Sequence, residues 1–226
     1  MRNLAEFLVH LFSRDGDVDH AYLSAVHERC LLCEEPISES QTYLTYRVCP
    51  FCRFHYTLSA RDRIDLMADK GTFKESHKYV SSVAPISFSR RGAYRNFLSR
   101  DQNRTGLTEA AVTGRCRIDG VETMLVVLDF GFMGGSMGIV VGEKVATAME
   151  VAARRGLPLV AIVTGGGVKI QEGVLSLMQM AKTVTAAKRI REEGVPFFVL
   201  LANPSTGQAY ASFANLADVI LAEPGS

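Results

Sequence analysis

The sequence predicts an α/β protein in which strand, turn and helix units stack behind a small metal-built ribbon. Three observations carry that expectation. Two CxxC pairs, Cys30 with Cys33 and Cys49 with Cys52, stand fifteen residues apart. That spacing lets two tight knuckles present four thiolates to one tetrahedral zinc and leaves no open coordination position, so the site is structural. Further on, the strings LVAIVT and FFVLLA are continuously apolar, as strands are when both faces are covered. Finally, the two units that contain them open with the same grammar, Gly156-Leu157-Pro158 and Gly194-Val195-Pro196, 38 residues apart.

Each element follows in order. Leu4, Phe7, Leu8, Leu11 and Phe12 fall at helical spacing, which predicts a short amphipathic N-terminal helix. The Asp- and Gly-rich SRDGDVD is a linker, so residues 1–29 form a helix and linker and residues 30–58 the ribbon. Ser59 is placed to cap a helix running toward Lys70. From Tyr79 to Gly106 the chain is polar and basic without a sustained period, which predicts irregular surface with one or two short helices. Asp119-Gly120 favours the positive φ of a hairpin turn between strands at 115–118 and 121–130. The glycine turn GFMGGSMG then leads into a helix from Ile139 to Arg155, ended by Gly156. After LVAIVT come the triple glycine and a helix from Gln171 to Glu193; after FFVLLA come NPSTGQ, a short helix and a last strand, DVILA.

Composition narrows the function classes. At 226 residues, with 47% apolar and 22% charged content, the chain is an ordinary globular protein rather than a disordered one. A net charge of +1 gives no overall basic excess for nucleic acid. The opening apolar stretch is too short to span a bilayer, and Glu6 breaks a signal-peptide core. Cys116 has no partner once four cysteines hold zinc, which points to a reducing, cytoplasmic compartment.

The residues with chemical potential are mostly glycines. Gly134, Gly135 and Gly138 form one strand-end turn and Gly165, Gly166 and Gly167 the next. Such turns bring backbone N–H groups to a ligand and can stabilise a developing oxyanion, although close packing of helix on strand accounts for the same glycines equally well. Neither turn is a GxGxxG or a Gly-Lys-Ser/Thr loop, so no bound nucleotide is expected. Ser136 lacks a nucleophile elbow and a nearby histidine. His27 and His55 flank the CxxC pairs but are expected to face solvent; Met178 and Met180 are expected to fill core; Glu172 reads as a partner for a helix dipole rather than as a base.

Taken together, the two CxxC pairs with VCPFC, SARDRIDLMADKGTF, FGFMGGSMGIVVGEK, GGGVKIQEGVLSLMQMAKT, NPSTGQAYASFA and ILAEPG run co-linearly from Cys30 to the end. In this the chain resembles the carboxyltransferase β subunit of the multi-subunit acetyl-CoA carboxylase of bacteria and plastids. The resemblance implies a crotonase-like (ClpP/crotonase) superhelix of stacked ββα units over residues 59–226, C-terminally shorter than the family domain. It implies transfer of a carboxyl group from N-carboxybiotin to acetyl-CoA, giving malonyl-CoA for fatty acid synthesis, within an ATP-dependent complex. Biotin arrives on its carboxyl carrier protein; the other partners are biotin carboxylase and a carboxyltransferase α subunit, in an α2β2 heterotetramer. Carboxybiotin releases carbon dioxide and the biotin anion takes the acetyl proton, so no side-chain base is needed. By resemblance, the Gly166 and Gly167 amides form the oxyanion hole, Gly134, Gly135 and Ser136 shape the CoA channel, Lys169 lies near its phosphates, and Thr206 and Gly207 face the acyl or biotin side.

The chain also departs from the family. Gly165-Gly166-Gly167-Val168-Lys169-Ile170 stands where the family reads Ser-Gly-Gly-Ala-Arg-Met, and Asn203-Pro204-Ser205-Thr206-Gly207-Gln208 where it reads Asp-Pro-Thr-Thr-Gly-Gly. Lysine does not reproduce arginine's bidentate fork. Two alternatives stay open at this point: a biotin-independent acyl-CoA decarboxylase or diverged crotonase-type paralogue, and a zinc-ribbon nucleic-acid module whose binding falls steeply with salt.

Overall fold

The computed structural model describes residues 26–82, 91–165 and 167–226. The expected N-terminal helix, and Gly166 of the expected oxyanion pair, lie outside the described residues. Six strands form one mixed sheet in sequence order: β1 (Lys74–Ser76), β2 (Ala111–Ile118), β3 (Val121–Leu128), β4 (Leu159–Gly165), β5 (Phe197–Ser205) and β6 (Val219–Ala222). β1, β2 and β3 pair antiparallel, whereas β3 through β6 run parallel. The parallel half needs crossovers, supplied by helices α4 (Ile139–Arg155) and α5 (Val174–Glu192); earlier in the chain lie α1 (Gln41–Tyr46), α2 (Ala60–Met67) and α3 (Arg91–Thr105), and after β5 the single turn α6 (Gly207–Tyr210).

The local chemistry behaves as predicted at several ends. Asp119 and Gly120 take φ of +49° and +79°, closing a two-residue turn between Ile118 and Val121, and the Asp69 carboxylate accepts both turn amides at 3.0 and 2.8 Å. Ser59 caps α2 by accepting from Asp62 N at 3.1 Å and donating back to its carboxylate at 2.7 Å. Gly156 ends α4 in the left-handed region. Residues Met124–Leu128 of β3 are all buried. Because side chains alternate faces, both faces of that strand are covered, which places the core at the centre of the sheet.

Four expectations change. The segment expected to be irregular contains α3, a 15-residue helix. Polar anchors hold it where apolar periodicity is lacking: Asp101 accepts from Met133 N at 2.8 Å and Arg104 donates to the Gly131 carbonyl. The helix expected from Gln171 is a 3-10 turn, Ile170–Glu172, followed by α5 after Gly173. β6, at the edge of the sheet, is apolar yet exposed along its whole length, so both of its faces are uncovered, unlike the covered strands that apolar runs predict. Met178, expected in the core, is 57% exposed, on an α5 face shared with Val174, Leu175 and Leu177. No helix among the described residues is long and apolar enough to cross a membrane.

α4 and α5 pack closely at Gly142, where an added Cβ would lie 2.6 Å from the Cβ of Gln179. Alanine in a helix interior ordinarily stabilises by about 1 kcal/mol. Here overpacking wins, since the added Cβ meets the root of the Gln179 side chain as well as its Oε1 tip, and the root cannot swing aside: Gly142→Ala is expected to lower stability by about 1–2 kcal/mol in urea unfolding.

Candidate functional site

The ribbon is built from two equivalent knuckles. In the first, Glu34 N donates to Cys30 O at 2.9 Å; in the second, Arg53 N donates to Cys49 O at 3.0 Å. Glu34 and Arg53, each four residues after the first cysteine of its pair, both take positive φ. The four sulfurs lie within 4.8 Å of one another, with Cys30 to Cys52 at 3.6 Å and Cys33 to Cys49 at 3.7 Å. Four thiolates around one tetrahedral zinc sit about 3.8 Å apart, so the cluster is compatible with a zinc site. Neither histidine belongs to it: His27 stacks on Tyr56 with centroids 5.2 Å apart, and His55 Nδ1 lies 2.8 Å from Arg53 O.

The ribbon has its own small core of Ile37, Tyr43, Phe54 and Tyr56, joined by Phe130 from just beyond β3. It therefore docks at the carboxyl ends of the strands, beside the glycine turns. Asn203 makes the link specific. Its side-chain amide donates to His55 O at 2.8 Å, its carbonyl accepts from the Thr57 hydroxyl at 3.2 Å, and its backbone N donates to Glu223 at 3.0 Å. Glu223 also pairs with Arg63 through both carboxylate oxygens. The aspartate that the resemblance implies at this position would offer no donor to a carbonyl, so asparagine has a local use here.

The strand-end turns meet at backbone contact. A Cβ on Gly135 would lie 2.8 Å from Gly165 Cα, and one on Gly165 2.5 Å from Gly135 O. Gly134 and Gly135 both have φ of +64°, within the turn that Ser136 closes by donating to Met133 O at 3.3 Å. Next along, Met137 and Val168 form a parallel bridge: Met137 N donates to Gly167 O at 2.8 Å and Lys169 N to Met137 O at 3.0 Å. From the third turn, Thr206 donates to Gly165 O through its amide at 2.9 Å and its hydroxyl at 3.1 Å, and Gly207 Cα lies 4.0 Å from where a Gly167 Cβ would be. Gly134, Gly135, Ser136, Gly167, Thr206 and Gly207 thus fall into one neighbourhood at the sheet's carboxyl edge.

Lys169 does not play the part expected of it. Its ammonium is 0% exposed, 2.6 Å from Glu109 Oε1 and 3.9 Å from Glu172 Oε1, so it is withdrawn from any phosphate arriving from solvent. Glu172 does serve a helix N-terminus, but that of α4 rather than its own: its Oε2 accepts from Ile139 N at 2.5 Å. Its other oxygen accepts from Tyr94 OH at 2.8 Å and Ser82 Oγ at 3.2 Å. Burial first, and then the Glu172 carboxylate, push the Tyr94 phenol far above its ordinary range. Nearby, Lys144 donates to Thr108 Oγ1 at 3.2 Å and Ala111 O at 3.1 Å; burial lowers its pKa. Glu109, Tyr94 and Ser82 were missed in the sequence because nothing in their spacing marks them as partners. Cys116 is buried within the sheet, its thiol pushed up to about 11 by burial and then by Asp69, which makes it a structural cysteine.

Comparison with known proteins matches this geometry. Residues 57–223 match the carboxyl transferase domain family. The chain is 43% identical over 196 residues to the acetyl-coenzyme A carboxylase carboxyl transferase subunit beta of Synechococcus sp. strain WH7803, covering 87% of this chain and 67% of that protein. It is 41% identical over 203 residues to the subunit of the same name in Rubrobacter xylanophilus, covering 90% and 78%. Among solved structures it is similar to a transcarboxylase 12S with hydrolysed methylmalonyl-coenzyme A bound, at TM-score 0.63 and 29% identity, covering 74% of this chain and 30% of that one. It is also similar to a Pseudomonas malonate decarboxylase hetero-tetramer in complex with malonate, at TM-score 0.57 and 28% identity, covering 73% and 58%. The fold is that of an α/β, crotonase-like carboxyltransferase. The chain belongs to the carboxyl transferase family, with the β subunits of acetyl-CoA carboxylase as its relatives.

The Asn203 link generates a direct test. Asn203→Asp removes the amide donor and sets a carboxylate against the His55 carbonyl, so stability is expected to fall by about 1–3 kcal/mol, read in urea unfolding at neutral pH.

Proposed function

We propose that this chain is the β subunit of an acetyl-CoA carboxylase carboxyltransferase and forms malonyl-CoA from acetyl-CoA. The observation that carries the reading is the direct contact of the glycine turns at the carboxyl edge of a sheet whose relatives bear that name. Carboxybiotin on the carrier protein would supply the carbon dioxide, and the biotin anion left by that loss would take the acetyl α-proton. What remains for this chain is to bind the thioester and to stabilise an enolate oxygen. Backbone N–H groups of the Gly166–Gly167 turn would donate to that oxygen, and such preorganised donors are worth about 3–4 kcal/mol each. Gly134, Gly135 and Ser136 would line the CoA channel, with Thr206 and Gly207 on the acyl or biotin side; Lys169 is assigned no phosphate.

The ribbon would hold structural zinc through Cys30, Cys33, Cys49 and Cys52. None of the described cysteines forms a disulfide, which supports a reducing, cytoplasmic setting. Partner subunits follow from membership of a multi-subunit family. The exposed apolar residues Ile170, Val174, Leu177 and Met178, beside the second glycine turn, support docking by an α subunit on that face, within an α2β2 assembly.

The reading is tested by reconstitution with an α subunit and carboxylated biotin carrier. Malonyl-CoA is the expected product; folded protein that yields none in the complete mixture defeats the assignment, and biotin-independent loss of carbon dioxide from malonyl-CoA would assign it to decarboxylation. Gly167 has φ of +130° with ordinary space around its missing Cβ. Gly167→Ala therefore perturbs the backbone more than the packing, and a fall in kcat of about 10²-fold is expected. Removal of zinc with a strong chelator is expected to melt the ribbon core, seen as lost near-ultraviolet tyrosine signal together with release of one metal ion per chain.

A further inference from the structure

We infer that Glu172 is a positioning residue that clamps the two glycine turns together, with Tyr94 and the Glu109–Lys169 pair holding its carboxylate in place. The inference rests on the carboxyl-transfer reading and names what sets the geometry of that site. Glu109 and Lys169 are fully buried and Glu172 nearly so. Burying charges is costly, and well-packed apolar residues commonly serve stability as well or better, so stability alone does not account for this cluster. Its connections do. Tyr94 comes from α3, Ser82 from the segment after β1, Glu109 from the approach to β2, and Lys169 and Glu172 from the stretch after the second turn; the Ile139 amide begins α4 directly after the first.

Along the two turns the cross-links form a ladder. Gly135 touches Gly165, Met137 bridges Val168, and Ile139 N donates to Glu172. The first two rungs are backbone on both sides. The third closes the ladder through a side chain, so the separation of the turns beyond Met137 is set by where that carboxylate is held. Gly138 belongs to the same arrangement, since an added Cβ there would run into the Glu172 carboxylate. The bond is charge-assisted and complements the dipole of the 17-residue α4, which makes it stronger than a neutral cap. Lys169 adds a second tether: its ammonium is drawn to Glu109 while its backbone carbonyl accepts from Ser176 Oγ at 2.6 Å, tying the turn to the head of α5.

A clamp of this kind affects the reacting geometry more than the affinity for acetyl-CoA. A misplacement of about 1 Å costs on the order of 10²-fold in rate. In the reconstituted complex, Glu172→Gln is expected to lower kcat about 10- to 100-fold, with KM for acetyl-CoA unchanged within about twofold. Tyr94→Phe, which removes one bond and little volume, is expected to move kcat in the same direction by a smaller factor, and it decides the matter if Glu172→Gln fails to fold. Unchanged kcat in the folded variants, or a rise in KM alone, overturns the clamp. Amide hydrogen exchange on the substrate-free complex gives a second readout that needs no turnover. Tyr94→Phe should speed exchange over 131–139 and 165–173 and leave the β2–β4 core unchanged; equal exchange in both turns rejects the inference even if the wild-type complex is active. A wild-type complex with no carboxyl transfer counts against the proposed function instead, and the exchange difference still decides whether Glu172 holds the turns.

Discussion

At Gly135 and Gly165 the turn that follows β3 meets the end of β4 so closely that neither position has room for a Cβ. A parallel strand must hand its chain to a helix at its carboxyl end. Here the handover after β3 and the one after β4 occupy the same place, and the Met137–Val168 bridge extends the contact into a short parallel ladder outside the sheet. The third handover, after β5, joins through Thr206 on the Gly165 carbonyl. Three turns are thereby gathered at one edge, where the proposed enolate would need oriented backbone dipoles more than a nucleophile. Low-dielectric surroundings strengthen such dipoles, and the buried strands beneath the turns supply them.

The parts around that contact serve it by different means. The ribbon stands on the same edge, seated through Phe130 and tied through Asn203 and the Arg63–Glu223 pair, so the four-cysteine module packs beside the turns. α3 crosses from the first turn to the second, with Asp101 on Met133 N and Tyr94 on Glu172. On the far side, the apolar face of α5 stays open. An exposed apolar face of this kind beside the glycine turns is the surface on which the proposed docking rests.

Much of this was legible in the residues. Two CxxC pairs lead to four converging sulfurs because ligand spacing is a local property of knuckles. The Asp119-Gly120 hairpin, the Ser59 cap and the Gly156 stop are likewise decided within a few residues, since positive φ and side-chain caps are local preferences. The apolar runs locate the parallel strands through burial on both faces. The length of α3 was not legible, only a short helix being expected there: its anchors lie in turns far along the chain, and its own sequence has no apolar stripe. Lys169 was misread for a related reason. A lysine beside a glycine turn suggests a phosphate, and only the folded chain brings Glu109, from sixty residues away, to its ammonium. Met178 fails the same way, because whether a helix face is core or surface depends on what packs there.

By itself the sequence determined the class of fold, the four cysteines that converge, the order of the central strands and their crossover helices and, through motifs running from Cys30 onward, the family. Those properties follow from local conformational preference, ligand spacing and hydrophobic period. The tertiary structure alone decided which glycines touch, where the ribbon sits, that Asn203 joins it to β5 and that Glu172 caps the preceding helix instead of its own. Each of these depends on groups that meet only when distant segments are packed into one sheet, where a buried charge or amide is tolerated only with a partner in reach.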